Sequence, residues 1–195
     1  MSESQITKRA IAASLKELTA IYPLSKISVK QIVNHCGLNR QTFYYHFKDK
    51  FDLVNWIYYT EAVESIADCR SYERWTDGIS RILSYLGDNR TFYINALNTP
   101  GQNAFDGFLF EATHNLIMNV VHEVSFKLNI SQADQSFIAD FYTFAFVGIV
   151  VKWVKGSMKE RPEEIVERIR DIVTGTLQPA LMRYEGSSQP TDMGI

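Results

Sequence analysis

The stretch NRQTFYYHFKDK, residues 39–50, sets Arg40, Gln41, Thr42, Tyr44, Tyr45, His46 and Lys48 around two phenylalanines, Phe43 and Phe47. Asn39 is a good N-cap for a helix starting here. On such a helix Phe43 and Phe47 lie four apart and share one face. Gln41, Tyr44, Tyr45 and Lys48 follow the i, i+3, i+4, i+7 spacing of the opposite face, and Arg40 and Thr42 project from the first turn. The segment is predicted to be a short helix with an aromatic underside and an outer face of hydrogen-bonding groups.

Its neighbours give that helix a setting. Leu38 before the cap and Phe43 in the first turns form a hydrophobic staple. Gly37 ends a preceding helix that starts at Ser28, where Gln31 completes a capping box and Ile32, Val33 and Cys36 are the apolar face. A first helix is predicted from Thr7 to Tyr22, with Ile11, Leu15 and Leu18 inward and Pro23 ending it. Helix, short turn, helix is a helix-turn-helix, whose second helix lies in the DNA major groove. Arg40 suits guanine and Gln41 adenine by bidentate geometry. The hydroxyls of Tyr44 and Tyr45, with His46, suit phosphate oxygens, flanked by Lys30, Lys48 and Lys50, and Asn39 and Thr42 complete the expected DNA-contacting set. Ser28 and Lys30 sit where a helix N-terminus would hold a further phosphate. The alternative for a tyrosine-rich face is packing against protein.

Charge distribution favours DNA. Residues 1–50 carry eight Lys/Arg and three Asp/Glu, a net of +5, while residues 51–195 carry a net of −7. The 46% apolar content supports a buried core. Cys36 and Cys69 are too few for a disulfide framework and are expected to be reduced. No apolar signal segment follows Met1, and the run FYTFAFVGIVV, 141–151, is shorter than the roughly 20 residues that span a bilayer. A cytoplasmic protein with no membrane partner is expected.

The rest of the chain reads as all-α. A fourth helix is predicted over 49–68 and further helices over 73–87, 89–97, 103–129, 134–155 and 162–184. NTPGQN, 98–103, marks a break, and 185–195 reads as a mobile tail. The expected organisation is a DNA-binding domain over 1–50 and a regulatory and dimerisation domain over 51–184. The segment holding Phe137, Phe141, Phe144, Gly148 and Val151 is apolar nearly all round and predicts burial on two sides. Ile165, Ile169, Ile172 and Val173 form a stripe on the last helix. Together these residues propose a homodimer interface, the alternative being a larger monomeric core. Phe92, Tyr93, Phe105, Phe108, Phe110, Phe141 and Tyr142 could line an apolar cavity or fill one.

Enzyme signatures are absent: no G-x-S-x-G, no Gly-rich phosphate loop, no H-E-x-x-H and no paired C-x-x-C. Glu111 and His114 have metal-site spacing, but His122, with Glu123, lies about 12 Å further along the helix. Asp134 and Asp140 have no His beside them. His35 and Cys36 lack a second ligand nearby. No metal and no cofactor is expected. The rival classes are an interaction-only helical adaptor and a metal-dependent bundle enzyme.

The run ISVKQIVNHCGLNRQTFYYHFKDKFDLV resembles the N-terminal domain of TetR-family transcriptional regulators, through the helix at 28–36, the Gly37 turn, the FYYHF cluster, Lys50 and Leu53. The resemblance covers residues 5–60. It implies a short reading helix, phosphate contacts at Tyr44, His46 and Lys50, a dimer built on C-terminal helices and a palindromic operator on double-stranded DNA. Arg40 and Gln41 depart from the small residues common there, so base preference does not carry over. The run FVGIVVKWVKGSMKERPEEIVERI, 146–169, is similar to regulators of dihydroxyacetone kinase operons, through Trp153, Met158, Lys159, Pro162, Glu163 and Glu164. That resemblance implies an activator working with a dihydroxyacetone-kinase-like co-activator protein. The alternative within the family is a ligand-responsive repressor with an apolar effector pocket.

Overall fold

The computed structural model describes residues 2–100 and 105–185, which are helical throughout with no strand among them. The predicted helix starting at 103 therefore begins, and the tail from 186 lies, outside the described residues. Helix α1, Glu3–Thr19, opens four residues before the expected start because the Ser2 side chain caps it, accepting from the Gln5 amide at 3.3 Å. Helix α2, Val29–His35, carries the full capping box, with Ser28 and Gln31 bonded reciprocally. It ends in a Schellman turn: Gly37 takes φ +71°, and the Leu38 amide donates to Val33 O at 2.8 Å. Helix α3, Arg40–His46, starts on the Asn39 side chain, which accepts from the Thr42 amide at 2.9 Å.

These helices close on one another by burying Ile11, Leu15, Ile32, Phe43 and Phe47. A buried bond from Ser14 Oγ to Ile32 O at 2.7 Å fixes α1 against α2. The core continues without interruption through Leu53 and Ile57 of α4, Lys50–Tyr58, into the rest of the chain.

The single fourth helix expected over 49–68 changes geometry along its length. After α4 comes a π turn, Tyr59–Val63, then a tight 3₁₀ segment, Glu64–Cys69, in which Ile66 leaves helical geometry at φ −106°, ψ 18°. Local periodicity cannot announce this, because helical spacing barely changes while the hydrogen-bond register does. Helices α5, Trp75–Asp88, and α6, Arg90–Leu97, follow. The long antiparallel pair α7, Phe105–Ser125, and α8, Gln132–Lys155, forms the body's centre.

The last helix expected over 162–184 is two: α9, Pro162–Thr174, and α10, Leu177–Tyr184, separated at Gly175. Between α8 and α9, Ser157 and Met158 both take positive φ (65° and 43°), which costs non-glycine residues about 1 kcal/mol or more each. The Trp153 indole holds that turn by donating to Glu160 O at 2.9 Å, and the Met158 amide bonds Trp153 O at 2.8 Å. The W-x-x-x-x-M spacing thus has a structural use. By length and composition α8 could cross a membrane, so the 11-residue run understated it. It packs instead against α6, α7 and α10.

Candidate nucleic-acid interface

Helix α3 presents Arg40, Gln41, Tyr44 and Tyr45 to solvent, with Thr42 and His46 half-buried; Phe47 is already extended at φ −139°, so Lys48, expected on the same helix face, is exposed in the turn that follows. Tyr45 is 82% and Tyr44 50% exposed, high values for large rings on a folded domain. Phe43 anchors the opposite face, with its ring 5.7 Å from Phe47. The outer face is partly ordered already. The Arg40 guanidinium lies 5.8 Å over the Tyr44 ring and donates to its hydroxyl at 3.4 Å. This cation–π contact holds the Arg40 guanidinium beside Tyr44 on the outer face. Ser28 and Lys30 are exposed at the start of α2, although the Ser28 hydroxyl donates to Gln31 Oε1 at 2.7 Å.

His46 stacks edge-on with Tyr45 at 4.9 Å. Partial burial, with the neighbouring Lys8 cation, lowers its pKa below the ordinary 6.5, so its imidazole is neutral at pH 7. Lys8, which sequence reading passed over, lies 5.7 Å from the Phe47 ring and 5.8 Å from that of Trp56, bringing an α1 cation to the edge of this face.

Lys50 requires a correction. Its ammonium does not face outward: it donates to Leu24 O at 2.7 Å, Ile27 O at 2.9 Å and Ser25 O at 3.3 Å. All three N–H groups are spent on the turn before α2, and burial lowers its pKa. Its place is to hold that turn, and through it the Ser28 cap, rather than to meet phosphate directly.

The expected dimer residues divide. Phe137, Phe141 and Phe144 are 62%, 64% and 67% exposed, and Ile172 is 62% exposed, while Val151 is half-buried. Gly148 is exposed, with nothing within 4 Å of where its Cβ would be. Phe141, Ala145, Ile149, Ile172 and Pro179 line a shallow apolar groove of about 420 Å³ between α8 and the α9–α10 corner. Ile165, Ile169 and Val173 are buried in the chain's own core, where α9 packs on α5, which takes Ile165 out of the expected interface, while Ile169 and Val173 also border that groove. The apolar stripe on α9 thus divides, with Ile165, Ile169 and Val173 inward and Ile172 outward.

The expected effector lining is likewise corrected. Phe92, Tyr93 and Phe105 are buried against one another and Tyr58, filling space rather than enclosing it. Phe108 packs on Tyr58 and Phe110 on Phe144. The cavity lies elsewhere, about 110 Å³ bounded by α5, α7, α8 and α9, and of that aromatic set only Tyr142 borders it. The metal candidates have other partners: His114 pairs with Asp140 at 3.2 Å, and Glu123 accepts from the Tyr72 amide at 2.9 Å. Among the described residues no acid, His and Cys group could hold a metal ion.

Comparison with known proteins agrees with this geometry. A family model described as bacterial regulatory proteins, tetR family, matches residues 7–57. Another, described as a transcriptional regulator C-terminal region, matches residues 73–175. The chain is 30% identical over 151 residues, 76% of its length and 80% of the relative's, to the HTH-type dhaKLM operon transcriptional activator DhaS of Lactococcus lactis subsp. lactis (strain IL1403). A solved structure of a dihydroxyacetone kinase operon activator DhaS superposes with a TM-score of 0.68 at 25% identity, covering 92% of this chain and 98% of that one. NalD, the secondary repressor of the MexAB-OprM multidrug efflux pump in Pseudomonas aeruginosa, shares the fold, with a TM-score of 0.57 at 17% identity, covering 89% and 97%. These relatives are regulators, not enzymes. The chain belongs to the TetR family of DNA-binding transcriptional regulators.

Proposed function

We propose that this regulator activates a dihydroxyacetone kinase operon, binding a palindromic operator as a homodimer and acting with a kinase-like co-activator protein in the cytoplasm. The observation that carries this reading is the 30% identity to an activator of such an operon across four-fifths of that protein. The head over 1–50 supplies DNA contact through the α3 face. The body over 51–184 supplies regulation and dimerisation. The exposed phenylalanines of α8, with Ile172 and the adjoining groove, support this reading, since they leave an apolar surface of the kind a two-fold interface buries. Two α3 helices set about one helical turn apart would read two half-sites. A partner that binds one spacing of the heads better than another shifts operator affinity by population.

Selection from random duplex DNA with the purified chain, repeated with a dihydroxyacetone-kinase-like protein, tests this. Enrichment of an inverted repeat, strengthened by the second protein, is the expected result. Enrichment that the second protein leaves unchanged would sink the co-activator, and no enrichment in either arm would sink the whole reading. A second reading, a repressor answering to its own ligand, is favoured by the cavity in the body.

A further inference from the structure

We infer that Tyr44 is a specificity-determining positioning residue: it aims the Arg40 guanidinium at the base edge that Arg40 reads. The inference rests on the reading above that the α3 face contacts DNA, and it adds to the phosphate contact expected of Tyr44 a second task carried out through another side chain.

The side-chain acceptor next to Arg40 in sequence, Asn39 Oδ1, is taken by the Thr42 amide at 2.9 Å and the Thr42 hydroxyl at 3.1 Å. Arg40 makes no ion pair among the described residues. What it meets is Tyr44, one helical turn on. The guanidinium carbon lies 5.8 Å from the ring centroid, and Nη2 donates to the hydroxyl at 3.4 Å. Tyr44 is the better anchored member of the pair. Its ring stands edge-on to Phe43, at 5.5 Å and 84°, and Phe43 is fully buried. A tyrosine also has fewer side-chain torsions to fix than an arginine, so the ring orders the guanidinium rather than the reverse.

Two neighbouring base readers are thereby unequally prepared. A guanidinium pairs with guanine by two parallel bonds, which demands direction as well as reach. Holding it near its working position before DNA arrives lowers the ordering cost of binding, roughly two- to tenfold in affinity for one long side chain. That gain goes to the base that Arg40 matches, because a guanidinium held in one direction does not follow an acceptor placed elsewhere. The Gln41 side chain is exposed and bonds to nothing among the described residues, so its amide has no such support. The Tyr44 hydroxyl, accepting from Arg40, keeps its own proton to donate to a phosphate oxygen. One residue thus links the register of α3 on the DNA backbone to the aim of its arginine.

The test is titration of the full-length chain against the operator that selection enriches, and against that operator with each other base in turn across one half-site. Arg40→Ala identifies the pair that Arg40 reads. Tyr44→Leu and Tyr44→Gln remove the ring, Tyr44→Phe keeps it, and a double variant joins Arg40→Ala to Tyr44→Leu, each checked by its melting temperature. Removing the ring should reduce discrimination at the Arg40 pair roughly two- to tenfold and leave the other pairs as sharp as before. Tyr44→Phe should retain discrimination at the Arg40 pair, whatever affinity its lost hydroxyl removes. In the Arg40→Ala background Tyr44→Leu should lower that discrimination no further. Equal weakening on every operator would make Tyr44 a backbone contact only, and lost discrimination at every pair would make it a structural part of α3; either overturns the inference. If Arg40→Ala alters no preference, the inference falls with it, while enrichment of an inverted repeat by the wild type would still support the proposed function.

Discussion

Lys16 of α1 and Glu61 of the π turn meet at 2.7 Å, tying the DNA-reading head to the body. The contact belongs to a chain: Tyr85 donates to the same Glu61 oxygen at 2.7 Å, and the Tyr93 hydroxyl donates to that of Tyr85 at 3.0 Å. Burial pushes the pKa of both phenols up, so they stay protonated as donors. The side chain of Asn95 adds a second tie across the junction, donating to Thr19 O at 3.0 Å. With both charged side chains about a third exposed, the pair contributes about 1 kcal/mol after allowing for solvent screening. Lys16→Met should lower the melting temperature by a few degrees and change operator affinity by more than that stability loss explains. The charge-swapped double variant Lys16→Glu with Glu61→Lys should restore part of both. A single variant with unchanged operator affinity would remove the pair from the coupling route.

Lys50 and Lys48 are predicted to behave differently. Lys50→Ala deprives three backbone carbonyls of their donor and should cost about 1–3 kcal/mol of stability. The salt slope of DNA binding should then hold steady. Lys48→Ala removes an exposed cation and should leave stability alone while reducing the salt slope by about one. Operator titrations at several salt concentrations check both, and a flattened slope in Lys50→Ala would return that residue to the phosphate contacts.

Arg40 and Gln41 are expected to read bases. Alanine at either position should cost about 1–3 kcal/mol on the best operator and relax preference at one base pair. Repeating the DNA selection with each variant reads this directly. A loss of affinity with an unaltered sequence preference would mark the residue as a backbone contact.

His46 supplies a pH dependence of known sign. Its lowered pKa means that the unfolded chain binds more protons than the folded one in the window just below 6.5. The stability it contributes as neutral imidazole is therefore complete above 6.5 and is lost as pH falls through the lowered value. A phosphate seated on His46 favours the imidazolium instead, so DNA binding should take up protons. Operator affinity should rise as pH drops from about 7.5 to about 6, and His46→Gln should flatten that rise. Parallel pH profiles for the two proteins would exclude His46 from the phosphate contacts.

The two apolar surfaces of the C-terminal helices separate by mutation. Phe141→Glu or Phe144→Glu should yield folded monomers, seen by sedimentation, because these rings are exposed on the isolated chain. Ile169→Ala should instead cost about 2–5 kcal/mol of folding stability, as a buried truncation does. Dimers that survive both glutamate variants would place the interface elsewhere.

Most of what could be read in advance concerns residues within a few positions of one another. Ser28 with Gln31, Asn39 with Thr42, the left-handed Gly37 and the Phe43–Phe47 pair act through contacts three to five residues apart. Their chemistry is complete in the local sequence. The same holds for the exposed reading face of α3, which follows once Phe43 and Phe47 are inward. The place of Lys50 is not legible locally, because its acceptors lie 23 to 26 positions back and nothing beside it in sequence announces three bare carbonyls. Ile165, Ile169 and Val173 show an apolar stripe, but periodicity says only that a face is covered, not whether α5 or a partner covers it. The π turn, the break at Gly175, the cavity beside Arg70 and the displaced aromatic cluster depend on how the side-chain volumes of α4 through α10 fill shared space. Short-range bonding set α1 to α3, their caps and the polar outer face of α3, and these were legible before any packing was known. Only tertiary packing decided which apolar faces were left open, where a cavity remained and which charges found partners, because those are sums over residues distant in the chain.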